Sequence, residues 1–265
     1  MPLVKIRVLG CHGSDQLLDE ARGPLQCGTC GFLVNGTVLV DAGTVGSQLR
    51  LAEQKQIRHV LLSHLHFDHI KGLPTLADNL VGESEIPVGV ASIPEVLKGL
   101  EAHIFNGEVY PDFFRLPDPG RPVFVSCPLT AGKEARLSGL TVIPVPVNHL
   151  VPTVGFVLTD GVTTVLYSGD TYRTDQLWRI AAGFPTLKAA FIETSFPNEM
   201  EELAKLTKHL TPALLAEEFR KIGRPGLALY VYHMKPRFRD RILRQLSDLN
   251  VPNLTVLEEG QELIV

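Results

Sequence analysis

The sequence predicts an α/β layered domain, and three observations predict it. Apolar β-forming runs alternate with helical stretches along most of the chain, and several of those runs end in a histidine or a carboxylate. Two hairpin units, one in each half, each run their second strand into an aspartate. The composition is that of a folded chain: of 265 residues, 45% are hydrophobic and 20% charged, which excludes intrinsic disorder. We read residues 1–265 as a single domain, a length that two small domains would also fill.

The elements follow in chain order. Phe32-Leu-Val-Asn35-Gly36-Thr-Val-Leu-Val-Asp41 sets an Asn-Gly turn between β-formers, a pair suited to a two-residue turn with positive φ. A helix is expected over 45–55, then a strand over 57–62 that ends in a histidine cluster. The span 80–125 is aromatic and proline-rich, with one helix capped by Ser92 and Glu95, and reads as an insertion over the site. Residues 140–147 form a strand that leads to His149. Phe156-Val-Leu-Thr-Asp160-Gly161-Val-Thr-Thr-Val-Leu-Tyr-Ser-Gly-Asp170 repeats the first hairpin with Asp-Gly at its turn. The two units read as a degenerate internal duplication. Thr174-Asp175 starts a helix to Ala182, and 188–193 is a strand ending at Glu193. Thr211-Pro212 starts a helix to Ile222, 227–232 is a strand ending at His233, and 237–249 is the last long helix.

Charge and cysteine content narrow the function classes. Lys and Arg number 25 against 29 Asp and Glu, a net charge of −4, so no extended nucleic-acid partner is expected. The N-terminal run Met-Pro-Leu-Val-Lys5-Ile-Arg7-Val is too interrupted by charge for a signal peptide. The uncharged stretch 140–159 carries Pro144, Pro146, Asn148, His149 and Pro152, which suits two buried strands better than a membrane helix. A cytoplasmic protein is expected. Four cysteines, at 11, 27, 30 and 127, suggest no disulfide framework in a chain of this size. Cys27-Gly-Thr-Cys30 reads as two small residues entering a strand, with half a zinc site or a redox pair as the alternative.

Chemistry concentrates in Ser63-His64-Leu65-His66-Phe67-Asp68-His69. On an extended segment His64 and His66 point to one side, and a turn into a helix brings Asp68 and His69 out beside them. His149, Asp170 and His233 each follow an apolar strand. Imidazole and carboxylate together suit zinc, with manganese or iron as chemical alternatives. His12 and His59 read as ordinary loop or capping residues.

These runs, with Asp41 in Val-Asp-Ala-Gly and Asp170 in Ser-Gly-Asp-Thr, resemble the metallo-β-lactamase superfamily over nearly the whole chain. The resemblance implies a four-layer αββα sandwich with two divalent metal ions at one edge of the sheets. It assigns His64, His66 and His149 to the first ion, Asp68, His69 and His233 to the second, Asp170 as the bridge and Asp41 as an orienting carboxylate. Two ions about 3.5–4 Å apart lower the pKa of a bound water and stabilise attacking and leaving oxygens, so the nucleophile is hydroxide. Asp68 would also hold or deprotonate that water.

Glu193 and His209, in Ile-Glu-Thr-Ser-Phe-Pro and Lys-His-Leu-Thr-Pro, bear on the substrate. Phosphodiester hydrolysis expels an alkoxide, a poor leaving group that benefits from a positioned acid. The phosphodiesterase branch, tRNase Z included, uses a similar Glu and His pair. Within it the chain most resembles class II 3′,5′-cyclic-nucleotide phosphodiesterases, through Cys27-Gly-Thr-Cys-Gly-Phe, the histidine run to Leu73, Ile104-Phe-Asn106, Pro111-Asp112-Phe113, Glu193-Thr-Ser-Phe-Pro and His209-Leu-Thr-Pro. The continuation Pro74-Thr-Leu-Ala-Asp78 departs from that class. The resemblance implies hydrolysis of cAMP or cGMP to the 5′-monophosphate, a small-molecule nucleotide as partner and a homodimer. Phe105, Tyr110, Phe113 and Phe114 are candidates to stack a base, or else form a small core of their own. Lys71, Arg173, Lys235 and Arg237 are candidate phosphate contacts. The alternatives are a tRNase Z-like enzyme or one acting on cyclic dinucleotides, and a glyoxalase II-like thioesterase, which would not need the His209 acid.

Overall fold

The computed structural model describes residues 4–19 and 23–265. Its strand signals resolve into two seven-stranded sheets. Edge to edge, the first runs Phe124–Pro128, Val88–Ser92, His59–Leu61, Val38–Ala42, Gly31–Val34, Lys5–Gly10 and Glu262–Ile264. The second runs Ala135–Leu137, Leu140–Pro146, Val154–Thr159, Thr164–Tyr167, Leu187–Glu193, Ala228–Tyr232 and Leu254–Val256. In each sheet an antiparallel hairpin is followed by three strands parallel to its second arm. The two sheets therefore repeat one topology, the duplication announced by the two hairpins that end in aspartate.

Side-chain alternation along the strands makes the layers. In Ala228–Tyr232, Leu229 and Val231 pack with Trp178, Leu214, Leu215, Phe219, Ile242 and Leu246 from the helices Gln176–Ala182, Pro212–Arg220 and Arg239–Asp248. Tyr232 on the opposite face meets the first sheet, where Phe32 lies edge-on to Tyr167 and Tyr232, both at 5.5 Å between centroids. Helices Gly72–Leu80 and Pro94–His103 bury Leu73, Leu76, Leu80, Val96, Leu97 and Leu100 in the same core as the first sheet. The order is helix, sheet, sheet, helix, the expected four-layer sandwich.

Several local expectations change in the structure. The helix expected over 45–55 shortens to Leu51–Gln54. The first hairpin takes the positive φ expected of Asn35 and Gly36, 51° and 71°, but pairs Val34 with Val38, so its loop has three residues rather than two. The second pairs Thr159 with Thr164, leaving a four-residue loop in which Asp160 Oδ1 accepts from the Val162 and Thr163 amides. Ser92 caps no helix: its hydroxyl donates to the Leu62 carbonyl at 2.6 Å, and the helix Pro94–His103 starts after Ile93 without a side-chain cap. All four cysteines are free, and Cys30 is buried at the entry to Gly31–Val34.

The span 80–125 needs the largest correction. Val88–Ser92 is an internal strand of the first sheet, paired in parallel with His59–Leu61 and Phe124–Pro128, so this span builds the sheet rather than covering the site. Phe105, Tyr110, Phe113 and Phe114 pack on one another and on Phe124. Phe124 pairs with Val88 at the start of these parallel strands, whereas the histidine run leaves their far ends. The rings form their own small core at the far end of these strands from the histidine run.

Among the described residues no helix is long and apolar enough to cross a membrane. The uncharged stretch 140–159 forms the antiparallel strands Leu140–Pro146 and Val154–Thr159.

Candidate metal centre

The residues singled out in the sequence leave their elements on one edge of the two sheets. His64 and His66 follow His59–Leu61, His66 in extended backbone, and Asp68 and His69 lie in the short helix Phe67–Ile70. Asp41 sits at a β-bulge between Gly31↔Ala42 and Phe32↔Val40, with φ 55°, so its side chain leaves the strand alternation and enters the site. Gly43 follows because a Cβ there would come within 2.0 Å of the Asp68 carbonyl oxygen. Asp170 follows Gly169, whose φ is 61° and whose missing Cβ would press on the Val154 carbonyl at 2.8 Å. His233 follows Ala228–Tyr232 at φ 71°, a conformation that costs a non-glycine residue free energy.

These side chains converge. Asp170 Oδ2 lies 3.7 Å from His64 Nε2, 3.3 Å from His69 Nε2 and 3.2 Å from His233 Nε2. Asp68 Oδ2 is 3.2 Å from His233 Nε2, and His149 Nε2 is 3.1 Å from His66 Nδ1. One group, His64, His66, His149 and Asp170, can hold a metal ion, and the groups Cys30, His69, His233 and Asp170, His209, His233 can do so beside it. The sulfur of Cys30 thus belongs to the surroundings of the second group.

The outer hydrogen bonds decide which ring nitrogen is free. Asp41 Oδ2 accepts from Tyr167 at 2.7 Å and from Ser63 Oγ at 2.8 Å, and it lies 2.7 Å from His69 Nδ1. A carboxylate oxygen that already takes two hydroxyl donors faces His69 as an acceptor, so His69 carries a proton on Nδ1 and turns Nε2 to Asp170. Ser63 Oγ, having donated to Asp41, accepts from His64 Nδ1 at 2.9 Å. Ser195 Oγ, having donated to Glu193 Oε2, accepts from His233 Nδ1 at 2.8 Å. His149 Nδ1 donates to the Lys208 carbonyl at 3.0 Å, which a left-handed Lys208 after the helix Glu201–Thr207 presents. In His64, His149 and His233 this leaves Nε2 with its lone pair, whereas His69 lies between two carboxylates that favour a proton on each ring nitrogen.

That arrangement fits divalent metal ions. His64 Nε2 and Asp170 Oδ1 are buried with no hydrogen-bond partner, a costly state for polar atoms that a cation between them would relieve. Burial holds His64 well below the usual imidazole range and His149 at about 4, so both rings are neutral, the form that ligates. Despite burial, the neighbouring His233 and His69 rings hold the Asp170 carboxyl well below the carboxylate range. His69 goes the other way: burial opposes its charge, but Asp170 and Asp41 on either side raise it. Neutral imidazoles with ionised carboxylates are the donor set of a divalent transition-metal site.

Glu193 and His209 stand at the same edge. His209 Nδ1 lies 2.8 Å from Glu193 Oε1 and 4.0 Å from Asp170 Oδ2, and its ring stacks on His233 at 5.3 Å. Glu193 also accepts from the Thr171 amide at 3.1 Å. Burial, with Asp170 adding to it, raises Glu193 to about 8, and burial lowers His209 to about 4. A neutral pair and an ion pair carry the same number of protons. The pair therefore holds one exchangeable proton along the 2.8 Å contact.

The four cationic candidates separate. Lys71 and Lys235 line a cleft with Asp68; Lys71 pairs with Asp15 at 2.5 Å, and Lys235 donates to the Gly13 carbonyl at 2.5 Å. Arg173 is taken by Glu217 at 2.5 Å, and Arg237 lies over the Phe238 ring at 5.6 Å. His12 contacts Glu259 and His59 contacts Ser138, as ordinary polar residues do. A larger cavity of about 570 Å³ lies along Gly43, Thr44 and Gln48 and contains none of the ligand candidates. Sequence reasoning missed Ser63, Tyr167, Ser195 and the Lys208 carbonyl. Only Ser63 and Ser195 carried a signal, as hydroxyls next to or two residues from a candidate.

Comparison with known proteins agrees with this architecture. An uncharacterized protein of Mycobacterium leprae is 30% identical over 192 residues, 68% of this chain and 62% of that one. A ribonuclease Z of Mycobacterium sp. (strain KMS) is 29% identical over 178 residues, 63% of this chain and 61% of that one. The match thus spans less than two thirds of either relative. Among solved structures, the metallo-β-lactamase fold protein YhfI of Bacillus subtilis superposes with a TM-score of 0.79 at 18% identity, and unliganded yeast PDE1 with 0.81 at 19%, each covering 100% of both chains. A model of the beta-lactamase superfamily domain matches residues 37–234, a stretch that runs from the Asp41 hairpin past His233, and the chain belongs to that superfamily.

Proposed function

We propose that this chain is a dinuclear metal-dependent phosphodiesterase that opens 3′,5′-cyclic nucleotides to nucleoside 5′-monophosphates. The observation that carries the reading is the Glu193–His209 pair, 2.8 Å apart and set 4.0 Å from Asp170. A proton donor at that place is needed only when the departing group is a strong base, as a ribose 3′ oxygen is. Yeast PDE1, similar in fold, and the sequence resemblance to class II cyclic-nucleotide enzymes support the same reading.

His64, His66, His149 and Asp170 would hold one ion, and Asp68, His69, His233 and Asp170 the other. When bound, the ions supply Lewis acidity toward the phosphoryl group and toward water, and zinc suits the donors. Asp41, Ser63, Ser195 and the Lys208 carbonyl keep the ligating nitrogens aimed by holding each opposite ring proton. Asp68 Oδ2 would hold, and accept a proton from, the attacking water. His209 would deliver its proton to the departing 3′ oxygen, and Glu193 would hold the ring at the required angle.

The test compares leaving groups. His209→Ala is expected to lower kcat on 3′,5′-cAMP by about 10²–10⁴-fold, and to cost much less on bis(p-nitrophenyl) phosphate, whose nitrophenolate leaves without help. Equal losses on both substrates, or none on cAMP with metal content kept, would reject the acid role. RNA is the second reading, favoured by the ribonuclease Z relatives; processing of a tRNA precursor without cAMP turnover would select it.

A further inference from the structure

Phe67 stands between His66 and Asp68 and is 67% exposed, the one phenylalanine among the large exposed apolar side chains of the described residues. Packing does not ask for it, since the helix Phe67–Ile70 buries His69 and Ile70 on its other side. The ring is one wall of a cleft of about 280 Å³ whose other walls include Gly13, Thr29, Asp68, Lys71 and Lys235. Thr29, 1% exposed, closes the wall behind them. Asp68 lines this cleft and also lies 3.2 Å from His233 Nε2, so the cleft opens beside the candidate metal centre.

We propose that this cleft takes the nucleoside of the substrate and that Phe67 is the face on which its base stacks. The proposal rests on the phosphodiesterase reading and adds to it a place and a residue for base recognition. A planar heterocycle meets in Phe67 an apolar face already in water, so stacking removes exposed apolar surface from both partners. A cleft of this volume, near the lower end of about 300 Å³ for small-molecule sites, has room for a single nucleoside. Lys71 and Lys235 are matched by Asp15 and Asp68 in the same walls, so the feature that distinguishes the cleft is the ring face rather than its charge. The rings at 105, 110, 113 and 114 cannot compete for this task, because they are spent on one another.

Calorimetric titration of the metal-loaded protein with 5′-AMP and with ribose 5-phosphate, which lacks only the base, tests this without turnover. The native protein is expected to bind 5′-AMP about tenfold more tightly than ribose 5-phosphate. Phe67→Ala should collapse that ratio toward one, and Phe67→Tyr should restore it. A native ratio near one would overturn the proposal, as would a ratio that survives Phe67→Ala or a Phe67→Ala variant that loses both ligands equally. Failure of the phosphodiesterase reading would look different: cAMP would not be hydrolysed, while the base-dependent ratio and its dependence on Phe67 remained.

Discussion

Asp41 makes no contact with the space between the imidazoles, yet it fixes the site. One of its oxygens accepts from Tyr167 and Ser63 and faces His69 Nδ1, and the other accepts from the Ser63 amide at 2.7 Å. Asp41→Asn keeps the shape but replaces one acceptor with a donor, which leaves His69 free to take the wrong tautomer. Metal affinity is expected to fall about 10–100-fold, read by competition against a chelator. Unchanged affinity would show that the His69 ring is held by packing alone. Asp41 was legible because a hairpin strand running into Asp-Ala-Gly is a pattern in the chain. Tyr167 was not, because nothing in a buried strand tyrosine says that its hydroxyl crosses to an aspartate 126 residues away.

At the scale of elements, Phe32 on the first hairpin joins the sheets, packed edge-on between Tyr167, Phe191 and Tyr232 and 2% exposed. Phe32→Ala leaves a cavity between two sheets that cannot close independently, and should cost about 3–5 kcal/mol in urea unfolding; a loss below 1 kcal/mol would mean that the sheets slide together. The N-cap of Pro212–Arg220 is a smaller case. Thr211 Oγ1 accepts from the Leu214 amide at 3.4 Å, a long bond, so Thr211→Ala should cost about 0.5–1 kcal/mol. Periodicity, caps and turn dipeptides placed eight interior strands of the two sheets, and the helices Gln176–Ala182, Pro212–Arg220 and Arg239–Asp248, to within a few residues, but missed Lys5–Gly10, the edge strands and the helix Glu201–Thr207. They failed over 80–125, where a dense aromatic and proline composition concealed Val88–Ser92. A buried five-residue strand has no solvent face and hence no alternation to reveal it. They failed also at Asp160-Gly161, where the aspartate side chain closes a longer loop than the dipeptide suggests.

For the whole molecule, the pseudo-repeated sheets put the ends of their parallel strands at one edge, and the centre ties them: His64, His66, Asp68 and His69 come from the first sheet, His149, Asp170 and His233 from the second. An ion held by both should stabilise the chain as a unit, so chelation should lower Tm and added zinc should raise it again with the logarithm of its concentration. A Tm indifferent to chelator would show that the halves are joined by the apolar core alone. The candidate ligands were legible as a spacing in the sequence; their mutual distances and the protons on their far nitrogens were not, since these depend on how two sheets pack. The most direct measurement of the central claim is product analysis after incubating metal-loaded protein with 3′,5′-cAMP beside a control treated with EDTA. The expected product is 5′-AMP, formed only where metal is present. Release of 3′-AMP would contradict the place given to His209, and no turnover by fully loaded protein would contradict the cyclic-nucleotide reading itself.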